Sequence, residues 1–288
     1  MNRSRPASRE ALFAGKSVVV TGAASGIGRA AALAFARQRA ELFVCDLPGS
    51  DLPALERALS EAGATSALGL AVDVGSREQM AAFAERVCQK TAPDVLVNNA
   101  GVGLSGGSLD TTLEDWEWVL RANLWGVVHG CHFFAPKMAE RGRGQIVNIA
   151  SAAGFYNSAT MAAYGTSKYA VVGFSEALRA ELRSRGVGVS VVCPGFINTP
   201  IIERMRVRGS ADPERERRDV LRFYQRRNYA PERVADAILK ATQKNPALLP
   251  VTPEAWALYL LQRAAPSFSH RLVDGLQALL NARPRERT

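Results

Sequence analysis

Ser17-Val18-Val19-Val20-Thr21-Gly22-Ala23-Ala24-Ser25-Gly26-Ile27-Gly28 is the stretch that decides the fold of this 288-residue chain. Apolar residues on successive positions, Val18 to Val20, describe a strand covered on both faces. The glycines that follow let the backbone turn tightly and come close to a pyrophosphate. The helix opening at Ile27 offers free N–H groups and a partial positive charge to that anion. The spacing GxxxGxG differs from the GxGxxG dinucleotide fingerprint, and a bare glycine-rich turn can also be purely structural.

The strand-then-helix rhythm continues along the chain. Strands are expected at 17–21, 42–46, 68–74, 95–98, 145–150 and 187–193, with a weaker one at 247–251. Helical periodicity fills 27–39, 77–90, 116–140 and 164–185, with a short helix at 232–240. Such alternation predicts an α/β fold, a doubly wound parallel sheet of the Rossmann-like kind, as one domain over 12–252. The rhythm breaks at 196–230, where Pro200, Gly209, Pro213 and many arginines predict a lid over a substrate. Residues 253–282 form an expected C-terminal helical extension. Its run 255–261 is apolar all round and is followed by Leu272, Leu276 and Leu280 at helical spacing. Something must cover it: the substrate pocket, a neighbouring subunit or, less favoured, a membrane surface helped by Arg263 and Arg271.

A net charge of +9 raises the question of an anionic partner. Part of the excess sits at 1–10 and 283–288, and part at 204–227. No nucleic-acid module or aromatic-basic ladder accompanies it, so no nucleic acid is expected as a partner. Cys45, Cys88, Cys131 and Cys193 lie in apolar stretches without CxxC spacing and read as buried thiols in a reducing compartment. His129 and His132 are three apart on one helix, yet no third ligand is near, so no metal is expected; His270 stands alone. The first ten residues hold no apolar run suited to a signal peptide, and a cytoplasmic protein is expected.

Several side chains carry chemistry. Asp46, eighteen residues past Gly28, ends the second strand, where a carboxylate can accept hydrogen bonds from adenosine ribose hydroxyls and repel an added phosphate. Leu47 and Pro48 offer no arginine for that phosphate, so NAD is expected over NADP, although Arg29 lies in the turn's helix. Tyr164 and Lys168, four apart on one helix, share a face. An ammonium about 5 Å from a phenol, at an effective dielectric near 20, favours the phenolate by roughly 3 kcal/mol, enough to bring it toward working pH. Ser151, at the end of the strand 145–150, can bind the substrate oxygen and stabilise charge developing there.

Together, residues 14–252 resemble the short-chain dehydrogenase/reductase family. The matching motifs are TGAASGIG at 21–28, Asp73-Val74, Asn98-Asn99-Ala100-Gly101, Asn123, Ser151, Tyr164-Gly165-Thr166-Ser167-Lys168, and Pro194-Gly195 with Thr199. The resemblance implies a catalytic tetrad of Asn123, Ser151, Tyr164 and Lys168, with Tyr164 as acid–base, Lys168 also reaching the nicotinamide ribose, and Asn123 holding a relay water. It implies nucleotide contacts at Gly22, Ser25, Gly26, Ile27 and Gly28, at Asp73 and Val74 against the adenine, and at Asn98, Asn99, Ala100 and Gly101 along the ribose and pyrophosphate. Pro194, Gly195 and Ile197 should pack on the nicotinamide and Thr199 bond its carboxamide. Trp125 departs from the small aliphatic residue common after Asn123-Leu124.

The expected pocket is bounded by Ser151, Ala153, Phe155, Tyr164, Phe196 and the lid segment 201–229, an apolar lining suited to a hydrophobic small-molecule alcohol or ketone. The lid arginines read as a solvated face balanced by Glu214, Glu216 and Asp219, or as a welcome for an anionic substrate. A homodimer or homotetramer through the helices holding Asn123 and Tyr164 is implied by the resemblance. The first reading is an NAD-dependent secondary alcohol dehydrogenase acting on a lipid-like, steroid-like or cyclic substrate. The alternatives are an NADPH-dependent 3-oxoacyl-type ketoreductase and a non-catalytic nucleotide-binding regulatory protein.

Overall fold

A computed structural model describes residues 11–268. In chain order the elements are β1 (Ser17–Thr21), α1 (Gly26–Arg37), β2 (Glu41–Asp46), α2 (Leu52–Glu61), β3 (Ser66–Ala71), α3 (Arg77–Cys88), β4 (Val95–Asn98) and β5 (Leu104–Ser105). Then come α4 (Leu113–Leu120), α5 (Gly126–Glu140), β6 (Gly144–Ile149), α6 (Ala162–Leu182), β7 (Val187–Cys193) and β8 (Arg206–Val207). The series closes with α7 (Pro213–Arg227), α8 (Pro231–Lys244), β9 (Leu248–Pro250) and α9 (Pro253–Ala264).

Seven strands form one sheet in the order β3-β2-β1-β4-β6-β7-β9, every neighbouring pair parallel. The chain winds outward from β1 to β3, then restarts on the other side at β4. Ligands of such sheets sit beyond the carboxyl ends of the strands flanking that reversal, here β1 and β4. Side-chain alternation feeds two separate cores. Val18 and Val20 pack with α1, α2 and α8 on one face, and Val19 packs with α3, α5 and α6 on the other. Both faces are therefore covered, which is why the strands are apolar at consecutive positions.

The expected doubly wound sheet is thus present, with local differences. The third strand ends at Ala71, so Asp73 and Val74 lie in the loop after it. The single helix expected over 116–140 is two α-helices joined by a π turn, Arg121–Trp125. The segment 196–230 holds β8, which pairs with β5 in a separate two-stranded sheet, and the fifteen-residue helix α7. Asp212 caps α7 by accepting the Arg215 N–H at 2.9 Å, Pro213 occupies its first turn, and Asn228 ends it in the left-handed region. No residue of α7 is fully buried. The apolar run 255–261 lies on α9, where Leu258 and Tyr259 pack inward while Trp256 and Leu260 are exposed. Leu272, Leu276, Leu280, His270, Arg271, residues 1–10 and residues 283–288 lie outside the described residues.

Candidate active site

The glycine-rich turn is shaped by contacts that only glycine allows. Gly22 and Gly26 have φ of 64° and 52°, in the left-handed region. A Cβ at Gly22 would stand 2.7 Å from the Ala100 Cα, and one at Gly28 would collide with the Gly22 carbonyl. The turn is stitched to the segment after β4. Thr21 Oγ1 accepts the N–H groups of Asn99 and Ala100, and Asn99 Nδ2 donates to the carbonyls of Thr21 and Gly22, all at 3.0–3.1 Å. Ser25 stands at the N-cap of α1 without a side-chain hydrogen bond to it. A close-approach turn, an N-terminus free of a side-chain cap and a carboxylate at the end of β2 together fit a dinucleotide.

One residue of this region departs from expectation and two carry contacts the expectation did not include. Asn98 is buried and faces the core, donating to Asn148 Oδ1 at 2.9 Å, because the alternation of β4 turns it away from the cleft. Asp46 caps its own loop: one oxygen accepts the Ala24 N–H at 2.7 Å, the other the Leu47 N–H at 2.8 Å and the Ser50 hydroxyl at 3.2 Å. The Asp73 carboxylate accepts from Arg121 Nη2 at 2.5 Å and from the Gly75 N–H at 2.8 Å. Arg121, at the start of the π turn, was not legible as a neighbour of this loop.

The four expected catalytic side chains converge beyond the ends of β4 and β6. Lys168 is buried, its Nζ donating to the Ile149 carbonyl at 3.0 Å and lying 5.8 Å from the Tyr164 ring centroid. Asn123 is buried in the π turn and donates to the Ser167 hydroxyl at 3.1 Å. A Cβ on Gly101 would stand 2.9 Å from Asn123 Oδ1 and 3.7 Å from Lys168 Nζ, so all three crowd one point. Ser151, just past β6, accepts the Ala153 N–H at 3.2 Å and donates to the Pro194 carbonyl at 3.4 Å. The Ala152 N–H bonds the same carbonyl at 2.8 Å. Ser151 is thereby fixed to the loop of Pro194, Gly195 and Ile197. A Cβ on Gly26 would stand 3.2 Å from Thr199, which brings the far end of that loop back to the glycine turn.

The electrostatics correct one expectation. Burial pushes the Tyr164 phenol above its ordinary value, and the Ser151 hydrogen bond only partly offsets this. Burial also pulls the Lys168 ammonium down to about 8. Pairing charge with charge at about 5 Å left out the loss of water around both groups, and here desolvation wins.

The pocket wall carries more aromatic surface than the expected residues supply. Phe155 is buried edge-on to Tyr259 of α9 at 5.4 Å, and Ala153 is half-buried beside it. Phe196 meets Phe223 and Tyr224 of α7 at 5.3 and 5.5 Å. The Tyr224 phenol is held high by burial and, secondarily, by its proximity to Tyr164. It is a residue of the site that sequence reading missed. Of the lid arginines, Arg217 and Arg222 do pair with Glu214 and Asp219, at 2.6 and 3.4 Å, whereas Glu216 accepts from the Ser105 hydroxyl. Arg206 and Arg208 instead bracket the buried Asp115 of α4 at 2.9 and 2.6 Å, holding its carboxyl below the usual range.

Comparison with known proteins agrees with this geometry. The family model for short chain dehydrogenases matches residues 16–208. The protein named "Probable oxidoreductase EphD" of Mycobacterium tuberculosis strain H37Rv is 41% identical over 260 residues, 88% of this chain but only 44% of that protein. This chain therefore spans under half the length of that relative. The 3-oxoacyl-[acyl-carrier-protein] reductase FabG of Thermotoga maritima is 35% identical over 227 residues, 78% of this chain and 89% of FabG. Among solved structures, a short chain dehydrogenase/reductase from Burkholderia phymatum in complex with NAD superposes with a TM-score of 0.80. It is 31% identical, with 87% of this chain and 94% of that one covered.

Proposed function

We propose the following reaction for this chain, which belongs to the short-chain dehydrogenase family: the NAD-dependent interconversion of a hydrophobic secondary alcohol and its ketone. The observation that carries it is the convergence of Ser151, Tyr164, Lys168 and Asn123 beside a glycine turn at the point where strand order reverses. The turn at Gly22, Ser25, Gly26, Ile27 and Gly28, with Asn99, Ala100 and Gly101, would hold the dinucleotide, and the loop of Pro194, Gly195, Ile197 and Thr199 its nicotinamide end. When bound, that group gives or takes the hydride at the substrate carbon.

The chain's own residues manage the oxygen. The Ser151 hydroxyl, rotating off the Pro194 carbonyl, donates a hydrogen bond to it and stabilises negative charge as it develops. Tyr164 exchanges a proton with the same oxygen. Its raised pKa keeps it protonated at neutral pH, the form that donates a proton in ketone reduction. Lys168 remains largely charged at pH 7 and lowers the cost of the phenolate, which reduction leaves behind and oxidation starts from. Asn123 fixes the helix and loop around Lys168.

Asp46 supports NAD: its anionic carboxylate ends β2, and Leu47 and Pro48 bring no cation beside it. The similarity to FabG supports a second reading, reduction of an acyl chain on a carrier with NADPH. Following nucleotide absorbance over a panel of secondary alcohols, steroids and 3-oxoacyl thioesters, with each nucleotide, separates the two. Absence of turnover together with tight nucleotide binding would leave only a regulatory protein. A row of Trp125, His129 and Phe133 rings running from the π turn along α5, with Trp125 exposed and the other two partly buried, supports assembly into a homo-oligomer, which light scattering reads directly.

A further inference from the structure

The first turn of α9 contains a carboxylate whose two oxygens serve two different parts of the site. Glu254 Oε1 accepts the Phe196 N–H at 3.2 Å. Glu254 Oε2 is paired with the Arg227 guanidinium in the last turn of α7. The fit is close on the loop side: a Cβ on Gly195 would stand 2.5 Å from Oε1 and collide with the Thr252 hydroxyl, so this loop lies flat against the start of α9. On the lid side a second tie runs alongside, the Tyr229 hydroxyl donating to the Val251 carbonyl at 3.0 Å. Burial would raise the Glu254 carboxyl, but hydrogen bonds from Thr252 and from backbone N–H groups, with the Arg227 charge, outweigh it and hold it low.

An acidic residue in the first turn of a helix has an ordinary use, since it meets the positive end of the helix dipole. That use requires neither Phe196 nor Arg227. We propose that Glu254 is a positioning residue that couples the 194–197 loop to the lid helix α7, so that nucleotide held by the loop and Tyr224 closed over the substrate favour one another. Coupling of this kind is reciprocal: what the loop gains from a settled lid, the lid gains from an occupied loop. The inference rests on the proposed function, in which this loop meets the nicotinamide and 196–230 covers the substrate.

The lid supplies its own reporter, because Arg215, Arg218, Arg222 and Arg226 lie exposed along α7 and are trypsin sites. The experiment is limited trypsin digestion of the full chain, with and without NADH, followed by mass spectrometry of the lid cuts. NADH affinity is measured in parallel by tryptophan fluorescence. In the unmodified chain NADH should slow lid cleavage by about fivefold or more. In Arg227→Gln and Glu254→Gln, which lose the charge pair but keep an acceptor for the Phe196 N–H, cleavage should be faster without nucleotide and NADH protection largely lost. NADH affinity should fall only slightly in both, while the substrate KM rises. Glu254→Ala should weaken NADH binding as well. Arg227 is at the surface, so its variant keeps the test decisive if Glu254→Ala does not fold. If NADH protects the lid equally in Arg227→Gln, Glu254→Gln and the unmodified chain, the coupling is overturned and the proposed function stands. If NADH neither binds nor protects the unmodified chain, the functional reading falls and takes the coupling with it.

Discussion

The Asn123 carboxamide closes both hydrogen-bonding groups of Val102: Oδ1 accepts its N–H at 2.7 Å and Nδ2 donates to its carbonyl at 3.1 Å. A side chain here does what a neighbouring strand would do. It holds the segment after Gly101 against the helices, and its amide also reaches Ser167 on α6. The implied water-relay role therefore has a mechanical one beside it.

Asn123→Ala should lower stability by about 1–2 kcal/mol, because two part-buried backbone groups lose their partner. A denaturant midpoint measured beside turnover separates the two roles. Unchanged stability with lost turnover would leave only the relay, and the reverse only the clamp.

Tyr164→Phe should reduce turnover by about 10²- to 10⁴-fold with nucleotide affinity nearly unchanged. The direction of reaction sets the pH dependence. Alcohol oxidation needs the phenolate, so its rate should climb steadily through the alkaline range toward the raised pKa of Tyr164. Ketone reduction needs the phenol and should stay flat through neutral pH. Oxidation that levels off near pH 7 would contradict the raised phenol.

Lys168 carries a stability signature of its own. Its folded pKa, about 8, lies below its ordinary 10.5, so between those values the unfolded chain binds more protons. Stability should therefore gain a rising contribution with pH across that window. Lys168→Met should remove this contribution, and urea melts at pH 7, 9 and 10 read the difference. An identical pH trend in the variant would mean that the ammonium is not desolvated.

Asp46→Asn should raise activity with NADP relative to NAD, since it removes the charge but keeps an acceptor for the Ala24 N–H. Asp46→Ala removes the loop cap as well and should cost about 1 kcal/mol of stability on top. The ratio of kcat/KM for the two nucleotides is the measurement, and an unchanged ratio would count against the role given to Asp46.

Asp115→Asn should loosen the base of the lid by about 2 kcal/mol, because a buried carboxylate loses two guanidinium partners that are themselves only part-buried. Its lowered pKa means that the pairing is present above the ordinary carboxylate range and lost as pH falls through the folded value. Acid unfolding should start at higher pH in the variant, and faster trypsin cleavage in α7 at neutral pH would locate the effect.

Much of this was legible in the residue order. The β-branched runs mark the strands; the glycine turn lies between β1 and α1, Ser151 follows β6, and Tyr164 and Lys168 share α6. What was missed shares a cause. The lid helix α7 is mostly charged, with its apolar residues confined to Val220, Leu221, Phe223 and Tyr224, too short a run for periodicity to reveal it, although Asp212-Pro213 and Asn228 mark its ends. The π turn has the composition of any helix, and only a mid-helix Asn hinted at it. Arg121, Tyr224 and Glu254 join the site through approaches between distant segments that no local pattern encodes. Asn98 was misplaced where strand alternation would have turned it into the core. The phenol was misjudged because a pairwise Coulomb argument carries no account of burial.

The reversal of strand order also governs when the site can exist during synthesis. The glycine turn emerges from the ribosome early, with β1, but one of the two strands beside β1 is β4, and Glu254 follows β9. Parallel pairing lets each strand wait for its whole crossover before it can dock, which makes such sheets slow to complete. A nascent chain halted before residue 250 would have its nucleotide turn and its Tyr164 already made, but not yet the Glu254 tie to the end of the lid helix.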